Sequence, residues 1–211
     1  QYLVLYNTLN LLTWSGVLLL TLKSTYELLT TSPNPTNPTP AEKQHPYNTL
    51  GRFLKFTQTT IVLEALHVLL GLVRTSLITT VIQAYSRIWI VWGILDQFQG
   101  GRSSWAFVGI GLAWGITEVV RYSFYVTNLV NGKAPAAIQW LRYNTFFILY
   151  PIGASSEWWL MWRSLDEAKA FNEYYYYWMV VNMALYPFLF PNQYTHMISQ
   201  RRKMMKAKKL E

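Results

Sequence analysis

Tyr150 and Glu157 stand in the stretch LRYNTFFILYPIGASSE, residues 141–157, which is mostly apolar yet also carries Arg142 and a Pro-x-Gly break at Pro151 and Gly153. An ionisable side chain in a hydrocarbon-spanning segment costs roughly 2.5–3.5 kcal/mol on insertion scales, so function is the default explanation for one. In a helix, residues seven apart differ by about 20° in direction, which sets Tyr150 and Glu157 on one face with roughly 10.5 Å of rise between them. A phenol and a carboxylate are groups that can give and take protons. At this point they form a constellation rather than a mechanism. The Pro-x-Gly break reads two ways, as a packing kink that neighbouring helices satisfy or as a bend that re-aims the two side chains.

Composition names the scaffold that must hold them. The chain has 211 residues, 52% hydrophobic and only 13% charged, about half the usual charged share of a soluble domain. Ten Trp and fifteen Tyr suit aromatic belts at two membrane interfaces. The expected fold is all-α, a polytopic membrane protein formed by a bundle of six transmembrane helices in a single domain, 1–211. Apolar runs place the spans at about 2–22, 53–72, 76–95, 105–126, 138–159 and 174–194, each near the roughly 20 residues a bilayer requires. The first run lacks a charged leader and a small-residue cleavage site, so it reads as a span rather than a signal peptide.

The segments between the spans are polar. Residues 30–46 form a Pro, Asn and Thr-rich linker that must lie outside the bilayer. Val73, Arg74 and Thr75 alone separate the second and third spans, which makes a helical hairpin. Residues 96–104 and 163–173 read as loops, and 131–135 as a short turn. Pro187 and Pro191 break the sixth span. The tail, 195–211, contains RRKMMKAKKLE and should be cytosolic. An even number of spans then puts both termini in the cytosol and the 30–46 linker in the lumen. The net charge of +8 follows this topology and shows no basic face for nucleic acid. The absence of cysteine removes disulfides, thiolate metal sites and a cysteine nucleophile.

The remaining polar groups inside the spans have a plain structural reading: they pair. Glu118 and Arg121 are three apart on one helix, and Arg87 can reach Glu64 or Glu157 across helices. His67 follows Glu64 by three, but three scattered histidines do not make a metal site, and no metal is expected. Gly109, Gly111 and Gly115 permit close helix approach in the fourth span. Polar residues in a small bundle also fit a transporter or channel, which would call for opposed half-helices or repeated polar positions, and no such repeat is present.

Four stretches taken together, LEALHVLLGLVRT at 63–75, QAYSRIWIVWGI at 83–94, WGITEVVRYSFY at 114–125 and LRYNTFFILYPIGASSE, resemble one family. It is the 3-hydroxyacyl-CoA dehydratase family of very-long-chain fatty acid elongation, also called protein tyrosine phosphatase-like. The resemblance covers spans two to five in order. It implies six spans in the endoplasmic reticulum membrane, removal of water from a (3R)-3-hydroxyacyl-CoA to give the trans-2-enoyl-CoA, and no cofactor. It implies Tyr150 and Glu157 as the catalytic pair; the charge pairing and the Pro-x-Gly kink make Arg87, Glu118, Arg121 and Gly153 the expected supporting residues. The partners it implies are a long-chain 3-hydroxyacyl-CoA, membrane lipids and other enzymes of the elongation cycle. A non-catalytic scaffold of that cycle is the alternative that an intact Tyr150 and Glu157 disfavour. The phosphatase half of the family's name gains nothing from a chain without cysteine.

Dehydration needs a base for the proton beside the thioester and an acid for the departing hydroxide. Glu157 suits the base and Tyr150 the acid, although the reverse assignment is open. A buried carboxylate serves as a base only beside a cation or polar donors, and Arg87 and Arg121 are the candidate cations. Arg74, Lys133 and Arg142, near the cytosolic ends of the spans, are candidate contacts for the CoA phosphates. The ending KKLE resembles a dilysine retrieval signal if Glu211 is the last residue, and otherwise is ordinary positive-inside charge.

Overall fold

The computed structural model describes residues 1–31, 39 and 45–208, whose regular elements are all helices, with no strand among them. Most of the 30–46 linker lies outside the described residues, and so does the end of the tail, with the retrieval signal. Helix α1, Tyr2–Thr31, shows what kind of solvent the chain expects. Its buried side chains, Asn7, Asn10, Trp14, Val17, Thr21, Ser24 and Leu28, recur at steps of three and four, the spacing of a helix–helix seam. The outward face carries Leu5, Leu12, Leu19 and Leu29. Polar groups inside and leucines outside invert the pattern of a soluble helix.

Helix α1 and the stretch Leu77–Leu95 are long and apolar enough to cross a membrane, and only 28% of each apolar window is covered by protein. α1 packs along α6, Trp105–Asn131. A Cβ on Gly111 would stand 2.8 Å from Thr21, and one on Gly115 would stand 3.1 Å from Leu18. The glycines expected to allow close approach therefore face α1 directly, while Gly109 faces Ser156.

The expected second span is two helices, α2, His45–Thr59, and α3, Ile61–Leu69. Thr60 interrupts them and is tied to α1: its hydroxyl donates to Asn10 Oδ1 at 2.6 Å, and its carbonyl accepts from the Tyr6 hydroxyl at 3.1 Å. A turn through Gly71, at φ +70°, leads to α4, Leu77–Ile88, which continues as a π-helix over Trp89–Leu95. The expected loop at 96–104 holds one turn of helix, α5, Gln99–Arg102.

After α6 ends at Gly132, with φ +73°, the chain forms α7, Ala136–Asn144, and α8, Phe146–Arg163. The expected fifth span is thus broken at Thr145. The expected loop at 163–173 instead holds α9, Leu165–Phe171. Glu167 on α9 accepts from the Gln99 and Gly100 amides at 2.7 and 2.6 Å, so the donors at the start of α5 find a carboxylate. Finally α10 runs from Glu173 to Lys208 without interruption, Pro187 and Pro191 included. The expected break there is absent, because each proline withholds a single amide, and a long helix tolerates that loss.

Candidate active site

Helix α8 stays helical through Pro151 and Gly153, so the Pro-x-Gly step does not re-aim Tyr150 and Glu157. Pro151 costs the helix one amide donor. Gly153 is buried, and a Cβ there would lie 3.6 Å from Ala113 and 3.9 Å from Trp114 Nε1, so α6 braces the segment closely. Tyr150 and Glu157 remain two turns apart on one face, with roughly 10.5 Å of rise between their backbones.

Both carboxylate oxygens of Glu157 are held. The Trp114 indole donates to Oε1 at 3.0 Å and the Tyr186 hydroxyl donates to Oε2 at 2.7 Å. Two donors, one on each oxygen, complement a carboxylate rather than a carboxylic acid. Tyr150 stacks on Phe190, with 5.0 Å between ring centroids, and on Tyr194 at 6.0 Å. Its hydroxyl has no hydrogen-bond partner among the described residues. Site reasoning from the sequence missed Trp114 and Tyr186. A signal for the second was present: the triplet Leu-Tyr-Pro occurs at 149–151 and again at 185–187.

Tyr186→Phe keeps the ring and removes one donor to the carboxylate. A hydrogen bond to a charged group contributes about 1.5–3 kcal/mol. The expected result is a fall in kcat of roughly ten- to a hundred-fold with KM little changed, measured on folded protein in detergent. An unaltered kcat would show that Trp114 suffices to hold Glu157.

Next to this pair lies a cluster of four charges. Arg87 donates to Glu118 Oε1 at 2.5 Å, and Arg121 donates to Glu118 Oε2 at 2.6 Å. Arg121 also makes a two-pronged contact with Glu64 at 2.6 and 2.7 Å, and the Tyr122 hydroxyl donates to Glu64 Oε1. The local pair Glu118–Arg121 forms as the spacing suggested. The long-range partners differ from expectation: Arg87 meets Glu118 rather than Glu64 or Glu157, and Glu64 meets Arg121. Arg121 makes no contact with Glu157. Arg87 lies over the Trp114 ring at 5.1 Å, the same indole that donates to Glu157. His67 is buried, with Nε2 2.8 Å from the Tyr2 hydroxyl and its ring edge-on to Tyr6.

The three candidate phosphate contacts are not gathered into one site. Arg74 lies exposed in the link between α3 and α4, and Lys133 lies exposed in the turn after α6. Arg142, on α7, has its guanidinium over Phe124 at 4.5 Å and Tyr125 at 4.9 Å, and donates to the Tyr125 hydroxyl at 3.3 Å. All three belong to the end of the bundle where α10 carries Arg201, whose Nε donates to Asn144 at 3.1 Å.

The chain was compared with known proteins. The family model described as protein tyrosine phosphatase-like protein, PTPLA, matches residues 58–207. A fission yeast protein, Schizosaccharomyces pombe, named probable very-long-chain (3R)-3-hydroxyacyl-CoA dehydratase is 40% identical, over 98% of this chain and 93% of that protein. The Arabidopsis thaliana dehydratase PASTICCINO 2 is 32% identical, over 100% of this chain and 95% of its own length. Mouse very-long-chain (3R)-3-hydroxyacyl-CoA dehydratase 1 is 38% identical, over 75% of this chain and 61% of its own length. No solved structure matches.

Proposed function

The chain belongs to the protein tyrosine phosphatase-like family, PTPLA, and from that premise we propose that it is a very-long-chain (3R)-3-hydroxyacyl-CoA dehydratase. The observation that carries the reading is the Glu157 carboxylate, held on both oxygens by Trp114 and Tyr186 and sharing one face of α8 with the Tyr150 hydroxyl, which has no hydrogen-bond partner among the described residues. Glu157 takes the proton from the carbon next to the thioester. The electron pair left behind forms the double bond, and the bond from the third carbon to its hydroxyl breaks. Tyr150 gives its proton to the departing oxygen, so water leaves. The proton gained by Glu157 then returns to Tyr150 and restores the pair. The relatives' names specify a very-long-chain substrate, which replaces the broader long-chain expectation. The test is purified protein in detergent with a (3R)-3-hydroxyacyl-CoA, followed for enoyl-CoA. No product from well-folded protein would remove the reading.

Six spans are part of the proposal: α1, α2 with α3, α4 with its π-helical end, α6, α7 with α8, and α10. Charge supports the orientation. The end with the α3–α4 link and the α6–α7 turn collects Arg74, Lys133, Arg142, Arg201, Arg202, Lys203 and Lys206, whereas the other end mixes signs, with Lys55 paired to Asp96. Excess Lys and Arg mark the cytosolic side. The setting is the endoplasmic reticulum membrane, and the other elongation enzymes are the natural partners because the enoyl product must next be reduced. A glycosylation acceptor engineered into the 30–46 linker should be modified in microsomes. Modification of an acceptor placed in the tail instead would reverse the topology.

A further inference from the structure

We propose that a groove between the start of α6 and the last turns of α8, at the end of the bundle away from the basic tail, binds the phosphate-bearing head of a membrane phospholipid. The groove has a volume of about 520 Å³ and is lined by Ser103, Ser104, Trp105, Ser155, Ser156, Trp159 and Arg163, together with Ala106. Among the described residues no carboxylate lines it. The nearby Glu167 is already engaged by the Gln99 and Gly100 amides. Ser156 is only 8% exposed, yet its hydroxyl has no hydrogen-bond partner among the described residues; Arg163 is exposed at the rim, and its guanidinium likewise has no hydrogen-bond partner among the described residues. Ser103 and Ser155 donate to the Gln99 and Ile152 carbonyls, but the Ser104 hydroxyl only accepts, from the Ala106 amide, so Ser104, Ser156, two indoles and Arg163 remain as donors for an anion with several acceptor oxygens.

The surroundings favour an amphiphile over a free anion. Ile148, Ile152, Ser155 and Trp159 recur at steps of four, three and four along α8 and form one exposed stripe that leads into the groove. The stripe points away from the catalytic face, because Ile152 stands about 200° around the helix from Tyr150. From Ile148 to Trp159 the stripe is roughly 16 Å long, about half of a ~30 Å hydrocarbon core. Trp105 and Trp159, 40% and 48% exposed, flank the cup at the depth where indoles settle between hydrocarbon and headgroups. One acyl chain along the stripe therefore brings its own phosphate to Arg163.

The test uses spin-labelled phosphatidylglycerol added to native protein in phospholipid-free detergent, with the immobilised fraction read by electron spin resonance. The native protein should immobilise the lipid. Arg163→Gln, which removes the charged donor, and Ser155→Trp, which fills the groove, should each weaken binding by about tenfold or more. Both variants should keep the native circular dichroism and elution volume. Unchanged binding in both variants overturns the proposal, and so does equal binding of a spin-labelled diacylglycerol that has no phosphate. Competition by millimolar inorganic phosphate would mark a free-anion site and overturn the lipid assignment.

Discussion

Glu157→Gln should lower dehydration by about 10²–10⁴-fold while the protein stays folded, the usual cost of losing a proton-transfer group. The substitution keeps the volume and leaves an amide oxygen to accept from Tyr186 or Trp114, so the bundle loses little packing. It removes the basicity. Tyr150→Phe should give a loss of similar size for a different reason: the ring keeps its stack on Phe190 and Tyr194, and only the hydroxyl, which has no hydrogen-bond partner among the described residues, is removed. In both cases kcat should fall with kcat/KM, since the lost interaction is made in the transition state. Steady-state assays on each variant, with thermal melts as the folding control, check this. Near-native turnover by either would strike that residue from the mechanism.

Arg121→Met should act on stability instead. Arg121 bridges Glu118 on its own helix and Glu64 on α3, and its side chain is 23% exposed while that of Glu118 is 3% exposed. Removing one partner of a buried pair strands the other at a cost of about 3–5 kcal/mol. Glu118 keeps Arg87, but among the described residues Glu64 is left with the Tyr122 hydroxyl as its one hydrogen-bond donor. The melting midpoint in detergent should fall by roughly 10 °C. Adding Glu64→Gln should recover part of that loss, because the stranded charge goes too. The pH profile of the remaining activity should stay in place, since Glu157 is held by Trp114 and Tyr186 and not by Arg121. A stable Arg121→Met protein with a displaced profile would give Arg121 the tuning role after all.

Much of the architecture was legible in the sequence because hydrocarbon is an exacting solvent. Long apolar runs and sparse charge call for helices, since an open chain in hydrocarbon satisfies its own backbone no other way, and the described residues are all-helical, with two helices long and apolar enough to cross a membrane. The local pair Glu118–Arg121 was legible as well, because a step of three on a helix decides it without help from elsewhere. The motif LRYNTFFILYPIGASSE was enough to place Tyr150 and Glu157 on one face of one helix.

Tertiary structure decided what depends on residues far apart in the chain. Glu157 lies 43 residues from Trp114 and 29 from Tyr186, and no local pattern links them. Arg87 chose Glu118 over Glu64 through the packing of α4 against its neighbours, a choice that charge alone leaves open because either carboxylate would neutralise it. The breaks at Thr60 and Thr145, and the continuity of α8 and α10 through their prolines, were likewise beyond local reading. In each case helix propensity competes with contacts from another helix, such as the bonds from α1 that hold the chain at Thr60, and only the packed bundle contains both sides of that competition.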